Sequence, residues 1–405
     1  MQNENALKGL KVLDFSRVIA GPVTTRLLGS HGATVVRVES MASIDIMRVY
    51  IPMAKGVPGI NRCGGFDAYN SDKYSLALNL RKPRGIEIAK RLVAWADIVI
   101  ENFTPGVMER MGLGYDELKK VKPDSIMVSM SMQGQVGPHA DQPGFGTELA
   151  SLAGITYLIG WPDRSPAGTG LPYTDFIVPW LSIAAIIAAL EYRDRTGRGQ
   201  HTDISQLESG SLFLSPAVMD YLSNGRVESA NGNRSTYAVP HGAYRCKGDD
   251  RWCAIGVFSD AEWRAFCAAI GNPAWASEEK FATFARRKEN EDELDKLVEE
   301  WTCQYSDEEV MHRMQVAGIA AGLVADATDR SLDPQLRYRS HFVTLDHPEI
   351  GLHDYEAPSW RLSATPGELR MPSPCLGEHN EYVCKEILGM PDDEFVQLLN
   401  DGVLE

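Results

Sequence analysis

The sequence predicts an α/β fold: a Rossmann-like large domain with a parallel sheet, followed by a smaller α/β domain. Short β-rich runs alternate with helical stretches early in the chain, as in residues 11–39, and this alternation is typical of a parallel sheet covered by helices. A polar, turn-rich segment at 226–240 predicts a domain boundary or a lid. Strand and helix patterns then resume beyond that boundary.

The elements of the large domain are predicted from residue periodicity. Thr34 to Glu39, TVVRVE, is a β-branched run typical of a strand, and Pro83 to Ala96 is an amphipathic helix that stops at Asp97. The predicted strands are 11–15, 34–39, 75–80, 98–100 and 126–130, and the predicted helices are 24–30, 83–96, 105–111, 115–120, 147–160, 176–196 and 202–224.

The remaining chain is predicted to form the small domain and a return segment. Tyr244 to Gly256 is predicted as a hairpin turned at Gly248 to Asp250. Further helices are predicted at 260–271, 291–304, 306–316 and 380–388, with a strand at 319–324 and a proline-rich loop from Arg361. We therefore expect a large domain at 1–225, a small α/β domain with its linker at 226–330, and a segment at 331–405 that rejoins the large domain.

Composition and charge exclude several classes of protein. The 405-residue chain has a formal net charge of -15, which argues against nucleic-acid binding because that requires a basic face. The longest apolar run, Phe176 to Leu190, contains Pro179 and is short for a bilayer span; we expect a buried helix and no membrane partner.

Seven cysteines without a CxxC pair and an opening stretch without signal-peptide features indicate a cytoplasmic protein. The histidines have no metal-ligand spacing, so no metal is expected, and His347 and His353 are predicted in surface loops.

One carboxylate stands apart from the other charged residues. Asp175 is the only carboxylate between Thr169 and Leu190, and the residues after it, Phe176 to Trp180, are apolar. Burial of an unpaired carboxylate is costly, so such a residue is usually paired, hydrogen-bonded or functional. Two interpretations remain open. Asp175 caps the N-terminus of the following helix, or it is a covalent nucleophile toward an activated acyl group.

Segments spread over nearly the whole chain resemble one family of enzymes, and they occur in that family's order. The segments are GLKVLDFSRVIAGP (9–22), HGATVVRVE (31–39), ADIVIENFTPGVMERMGL (96–113), GPHADQPGF (137–145), PYTDF (172–176), RTGRGQHTDIS (195–205), PHGAYRC (240–246) and PSPCLGEHNEYV (372–383). They resemble the family III CoA-transferases, which include formyl-CoA transferase, carnitine CoA-transferase and the α-methylacyl-CoA racemases. The PYTDF segment also resembles the aromatic-acid branch, such as benzylsuccinate CoA-transferase.

The resemblance implies a dimer of two interlocked chains, with Asp175 as the nucleophile that forms a mixed anhydride and then an aspartyl-CoA thioester. It implies no permanently bound cofactor, because coenzyme A and acyl-CoA are substrates. The partners are then an acyl-CoA donor and a carboxylic acid acceptor. In the aromatic-acid branch the donor is commonly succinyl-CoA and the acceptor is an aromatic acid. Water has to be kept from the intermediates, since each of them would hydrolyse.

The first group of CoA contacts implied by the resemblance lies in the turn after the first strand. Val18, Ala20, Gly21 and Pro22 form this turn, and the glycine allows close approach of a ligand to the backbone.

A second group matches the family's ENF segment and includes Asn102, Phe103 and Arg110. Arg110 suits a CoA phosphate or pairs with a surface acid such as Glu109. Phe103 stacks on adenine or packs in the core. Arg37 reaches the nucleotide or forms a salt bridge at the end of its strand.

Three departures from the family pattern leave a second class of function open. The racemases carry a catalytic histidine thirty residues before the aspartate, where this chain has Phe145, so α-proton abstraction lacks its base and racemase activity is disfavoured. Formyl-CoA transferase has Tyr-Glu where this chain has Phe145-Gly146, and relatives commonly have glycine where it has Pro179. The alternative is a non-catalytic partner subunit of a heteromeric CoA-transferase.

A substrate pocket is predicted from aromatic residues and one histidine. Phe145 and Tyr173 flank the sequence around the aspartate and would favour an aromatic acid, although packing in the core is the ordinary role of such residues. His241 lies between Pro240 and Gly242, and it either enters this pocket or is a turn histidine bonded to backbone.

Overall fold

The computed structural model of the protein describes residues 5–405, so the first four residues of the predicted large domain lie outside the described part. The chain divides into two compact units. The first takes in the chain up to Leu158, 167–228 and 337–405, and the second takes in 159–166 and 229–336. The short segment 159–166, which we predicted within the large domain, groups with the second unit.

The strands and helices are numbered in chain order through the described residues. The strands are β1 (Lys11–Asp14), β2 (Thr34–Glu39), β3 (Tyr74–Ala77), β4 (Ile98–Glu101), β5 (Ile126–Ser131), β6 (His201–Ser205), β7 (His241–Arg245), β8 (Trp252–Gly256), β9 (Ala320–Leu323), β10 (Phe342–His347) and β11 (Gly351–Glu356). The helices are α1 (Ala20–Ser30), α2 (Gly64–Tyr69), α3 (Pro83–Trp95), α4 (Val107–Arg110), α5 (Tyr115–Val121), α6 (Gly146–Leu152), α7 (Ile155–Leu158), α8 (Tyr173–Thr196), α9 (Gln206–Leu212), α10 (Ser215–Asn224), α11 (Asp260–Ala269), α12 (Phe284–Glu289), α13 (Glu291–Thr302), α14 (Asp307–Val316), α15 (Ala327–Leu332), α16 (Pro334–Tyr338) and α17 (Asp392–Asn400).

The first unit is built on a six-stranded sheet in the order β3-β2-β1-β4-β5-β6. Every neighbouring pair in it is parallel, and the order is that of a Rossmann fold. Successive residues of β1 enter different cores: Leu13 packs with α3 and the C-terminal segment, and Val12 packs with α1 and α8. The sheet is therefore buried on both faces, as the β-branched runs predicted, and the predicted Rossmann-like parallel sheet is confirmed.

The sixth strand was missed in the sequence. Residues 202–224 were predicted as one helix, whereas the chain forms β6, α9 and α10 in succession. β6 pairs in parallel with β5 from Met127 opposite His201 to Ser131 opposite Ser205. Ser205 then caps α9 by accepting a hydrogen bond from the Glu208 amide. β6 ends at Ser205 and α9 begins at Gln206 with no turn between them, so the sequence pattern does not separate the strand from the helix.

The C-terminal segment contains more regular structure than predicted. β10 and β11 form an antiparallel hairpin, and they carry His347 and His353, which we had predicted in surface loops. A π-helix at Tyr382–Ile387 replaces the predicted last helix, and α17 follows it. Leu398 of α17 packs into the core beneath the sheet, and the chain ends beside the strand region at Leu78, opposite Leu404.

The second unit has an antiparallel sheet, β7-β8-β9. The predicted hairpin is present, with the positive φ of Gly248 and Asp250 in its turn. A core that includes Ile255, Phe266 and Val298 lies between this sheet and the surrounding helices. The predicted smaller α/β domain is therefore confirmed.

Helix α8 has 24 residues, and an 18-residue window within it has a mean hydropathy of 1.7, enough to cross a membrane by length and composition alone. It packs against α1, α6 and α9, and one side of it, including Val178 and Ile186, is buried. Trp180 and Ile187 on the other side are 45% and 44% exposed. The prediction of a buried helix is therefore correct for one side only.

A layer of buried charges lies at the carboxyl ends of β1 and β2. Arg37 is fully buried and pairs with Asp14, Glu39 and Asp45. Arg48 binds Glu39 through two hydrogen bonds of 2.7 and 2.8 Å. These cations hold the pKa of Glu39 down at about 2 against the opposing effect of burial.

Replacement of Arg48 by methionine is expected to destabilise the protein by about 3–5 kcal/mol, because Glu39 would keep its buried charge and lose two hydrogen bonds. Urea unfolding followed by circular dichroism measures the change. The control is Arg84→Met, which removes a half-exposed pair with Glu87 and Glu394 and is expected to cost less than about 1 kcal/mol. Equal losses in the two variants would contradict the importance of the buried pair.

Candidate active site

Asp175 occupies the third position of α8, in its first turn. The helix begins after Pro172, which provides no side-chain cap, so the interpretation of Asp175 as the N-cap is wrong. The residue is only 8% exposed, and its carboxylate has no hydrogen-bond or ion-pair partner within residues 5–405. Removal from water raises the pKa of Asp175 to about 7. The site therefore contains a desolvated carboxylate that no cation stabilises.

Pro179 bears directly on the backbone of this turn. A proline has no N–H, so the residue four positions after Asp175 cannot donate the helical hydrogen bond to the Asp175 carbonyl. The departure noted in the sequence thus lies in the same helix as the reactive carboxylate and alters its backbone pairing.

Aromatic side chains occur close to Asp175 in the same unit. Phe145 precedes α6 and Tyr173 begins α8, and they are 59% and 40% exposed. The ring of Tyr69, at the end of α2, meets the ring of Phe176 edge-on with 5.9 Å between centroids. The pKa of Tyr69 is raised mainly by burial and by the charge of Glu356, and the charge of Asp175 adds to this rise. Sequence reasoning missed Tyr69, because α2 is distant in sequence and matches no motif.

The turn between β1 and α1 is held by hydrogen bonds to the side chains of Asp45 and Asn102. Val18 has a positive φ of 68°, and its amide donates to Asp45. Asn102 bonds the backbone of Arg17 twice, through its amide nitrogen and its carbonyl oxygen, each at 2.8 Å. The turn predicted to contact CoA is therefore rigidly shaped by its own protein.

Gly21 has a structural reason that the sequence did not reveal. A Cβ at Gly21 would lie 2.1 Å from the Cβ of Ser16, so no larger residue fits on that side of the turn. Ala20, Gly21 and Pro22 are all buried, whereas Val18 is half-buried. Close packing within the turn thus explains the glycine without a ligand.

Arg37 is fully buried and binds groups that shape this turn. Its guanidinium donates to the Ser16 carbonyl at 2.9 Å and to Asp45 at 2.6 Å. The structure thus contains the salt bridge at the strand end that the sequence left open as the alternative. The pKa of Arg37 is raised above its ordinary value because Glu39, Asp45 and Asp14 outweigh the effect of burial.

A cavity of about 530 Å³ opens beside the carboxyl ends of β1, β2 and β3. Phe103 lines it, and the amide of Phe103 is held by Glu101 at 2.7 Å. Arg17 and Arg81 also line it, and the guanidinium of Arg17 lies 5.8 Å from the centroid of the Phe103 ring. An aromatic ring with two cations suits a nucleotide that carries phosphates.

Arg17 and Arg81 were missed from the sequence, although each follows a strand of the parallel sheet. Ligands of such sheets bind outside the carboxyl ends of the strands, and that rule would have identified both arginines. Arg110, which was predicted, is exposed and forms no ion pair within the described residues, so the pairing with Glu109 is absent.

His241 lies in the second unit, at the start of β7. Its Nδ1 is hydrogen-bonded to the carbonyl of Asn233 at 2.5 Å, which agrees with the alternative of a histidine bonded to backbone. Its ring also faces a cavity of about 360 Å³, lined in addition by Trp161, Arg234 and Tyr244.

Residues 5–405 contain no cluster of three or more His, Cys, Asp or Glu side chains suited to a metal ion. All seven cysteines are free.

Comparison with known proteins identifies one family. The family model described as CoA-transferase family III matches residues 7–380. Succinyl-CoA--D-citramalate CoA-transferase of Chloroflexus aurantiacus is 32% identical over 97% of this chain and 96% of its own. The beta subunit of succinyl-CoA--L-malate CoA-transferase of the same organism is 32% identical over 98% of each. A crystal structure of a CAIB/BAIF family protein from Brucella suis has 31% identity and a TM-score of 0.87, with 95% of this chain and 100% of that chain covered.

Replacement of Asp175 by asparagine is expected to raise thermal stability above pH 7. The folded pKa of about 7 exceeds the ordinary value of 3.8, so wild-type stability falls as the pH rises from about 4 through 7, by at most about 4 kcal/mol. Asparagine carries no charge and escapes this loss. Melting temperatures between pH 4 and pH 8 test the expectation, with the exposed Asp194→Asn on the same helix as control. A variant no more stable than wild type at pH 8 would contradict it.

Proposed function

The chain belongs to CoA-transferase family III, and from that premise we propose that it transfers CoA from succinyl-CoA to a carboxylic acid through covalent intermediates on Asp175. The observation that carries the proposal is the buried carboxylate of Asp175, which has no cationic partner within residues 5–405 and has a pKa of about 7. Such a group is less solvated than an exposed carboxylate and therefore more nucleophilic. The succinyl donor is supported by relatives named as succinyl-CoA-dependent transferases.

The first half of the reaction releases the donor acid. An oxygen of Asp175 attacks the thioester carbonyl, the C–S bond breaks, and a mixed anhydride and CoA thiolate form. The thiolate then attacks the carbonyl carbon of Asp175 and expels succinate, which leaves an aspartyl-CoA thioester.

The second half repeats these steps in reverse order with the acceptor. Its carboxylate attacks the aspartyl thioester, CoA thiolate leaves, and the thiolate attacks the acceptor carbonyl of the new anhydride. Asp175 is regenerated as a carboxylate. No step needs ATP or a net proton, because each one exchanges one activated acyl bond for another.

The chain's own residues supply binding and the exclusion of water. Phe103, Arg17 and Arg81, which line the cavity described above, are proposed to hold the nucleotide end of CoA together with the adjacent Asn102 and the exposed Arg110. Val18 to Pro22 present the turn toward the same substrate, and Arg37 acts by holding that turn. Burial of Asp175 limits hydrolysis of the anhydride and the thioester.

Two classes of acceptor acid are proposed, each from one observation. The two named relatives act on citramalate and malate, which are small hydroxylated dicarboxylates and support an acceptor of that class. The exposed rings of Phe145, Tyr173 and Trp180 support the aromatic acid that the sequence suggested. Turnover with matched panels of the two classes of acid, at one fixed concentration of succinyl-CoA, distinguishes them.

A dimer is proposed because helices of the first unit leave large apolar side chains exposed. Leu212, Phe213, Met219 and Leu222 on and between α9 and α10 are 63%, 56%, 57% and 69% exposed. A second copy or a related subunit would cover them. The second candidate function, a non-catalytic subunit, is favoured by the likeness to the beta subunit of a two-subunit transferase.

Asp175→Asn is expected to lower CoA transfer by at least about 10³-fold while folding persists, because an amide is a poor nucleophile. Incubation of wild type with acyl-CoA should label the peptide that carries Asp175, and hydroxylamine should convert the adduct to an aspartyl hydroxamate. The measurements are initial rates and peptide mass spectrometry. A fully active Asp175→Asn enzyme would end the assignment. Activity of wild type only with a related subunit would support the second candidate.

In dilute solution the protein is expected to remain a dimer, with an interface larger than the roughly 2,000 Å² of an ordinary stable complex if the chains interlock. Light scattering and sedimentation measure the mass. Phe213→Glu or Leu222→Glu should shift the equilibrium toward monomer, since each places a charge on the exposed apolar surface. A folded wild-type monomer at nanomolar concentration would contradict the interlocked assembly.

A further inference from the structure

Two glycines lie against the first turn of α8, Gly146 beside Asp175 and Gly210 beside Thr174. Gly146 opens α6, and Gly210 lies in α9; both helices pack against α8. A Cβ at Gly146 would lie 2.5 Å from Oδ2 and 2.8 Å from Cγ of Asp175. A Cβ at Gly210 would instead lie 2.9 Å from the methyl carbon of Thr174. The two positions therefore contact neighbouring residues of the same turn.

Neither glycine is required by its backbone conformation. Neither is among the residues with positive φ, and within a helix glycine is less favourable than alanine. Each glycine leaves room for a side chain of α8. At Gly210 the methyl group of Thr174 occupies that room, whereas at Gly146 the carboxylate of Asp175 occupies it.

The contact at Gly146 leaves the carboxylate little freedom. A Cβ at Gly146 would also lie 2.6 Å from the Cβ of Pro172. Pro172 immediately precedes α8, and its ring restricts the backbone there. Thr174, fully buried, donates a hydrogen bond of 3.4 Å to the Gly146 carbonyl. A side chain at 146 would therefore meet a stiff backbone on one face, and the short side chain of Asp175 is the part able to move.

We propose that Gly146 is a positioning residue for the transfer reaction: with no side chain at 146, Oδ2 of Asp175 rests against the backbone of α6, and the carboxylate is held in its water-poor position. This inference rests on the proposed role of Asp175 as nucleophile. It also assigns a reason to the Phe145-Gly146 departure, at the position where formyl-CoA transferase has a glutamate.

The test compares Gly146→Ala with Gly210→Ala, which add the same methyl group against the same turn. The rate of adduct formation on Asp175 at saturating succinyl-CoA is measured by hydroxylamine trapping and mass spectrometry, and affinity for free CoA by calorimetry. Gly146→Ala should slow adduct formation by about a hundredfold, as a displacement of roughly 1 Å does. Gly210→Ala should slow it less than about threefold, and both variants should bind free CoA as wild type does, because neither glycine lines the cavity proposed to hold CoA.

A second measurement covers the case in which Gly146→Ala folds poorly. Each glycine substitution is also made in the Asp175→Ala background, and melting temperatures complete a double-mutant cycle. Removal of the carboxylate should recover part of the melting temperature lost by Gly146→Ala and none of that lost by Gly210→Ala. Equal losses in both backgrounds would overturn the proposed contact.

The outcomes separate this inference from the function on which it rests. A wild-type protein that forms no adduct on Asp175 contradicts the proposed function, and the positioning role of Gly146 fails with it. Adducts on wild type, with equal slowing in the two glycine variants, contradict only the positioning role.

Discussion

Arg37 is enclosed by three carboxylates, and the turn between β1 and α1 depends on this buried charge. Its guanidinium pairs with Asp14, Glu39 and Asp45 and donates to the Ser16 carbonyl. Asp45 in turn accepts the Val18 amide, and Val18 has a positive φ that a β-branched residue adopts only when its surroundings enforce it. Loss of Arg37 would leave these buried carboxylates without the cation that they share, so one buried cation stabilises the whole turn.

Two buried carboxylates of the same unit differ in their role because they differ in their neighbours. Glu39 lies between Arg37 and Arg48, which hold its pKa at about 2. Asp175 has no such cation, and burial alone raises its pKa to about 7. The first carboxylate stabilises the fold in its ionised form, whereas ionisation of the second opposes folding. A reactive site that reduces stability in this way is common in enzymes, where catalysis requires strained or desolvated groups.

Periodicity and composition in the sequence predicted β1 to β5, α3, α8 and the β7–β8 hairpin. They missed β6, which pairs with the distant β5, and they also missed the β10–β11 hairpin, although these two strands are neighbours in the sequence. Asp175 was found because a lone carboxylate in an apolar run is visible locally. Arg17, Arg81 and Tyr69 were missed because their relevance arises from neighbours brought together by folding.

The sequence by itself determined the family, the parallel α/β architecture and the identity of the isolated carboxylate, since each is recorded in local composition and in the order of motifs. Only the tertiary structure decided that Asp175 lies within the helix rather than at its cap, that Arg37 is enclosed by protein, and that Gly146 lies against Oδ2. The physical reason is that desolvation and close packing are set by atoms from several elements at once. Gly146, Thr174 and Gly210 are far apart along the chain or on different helices, and their contacts exist only after the chain has folded.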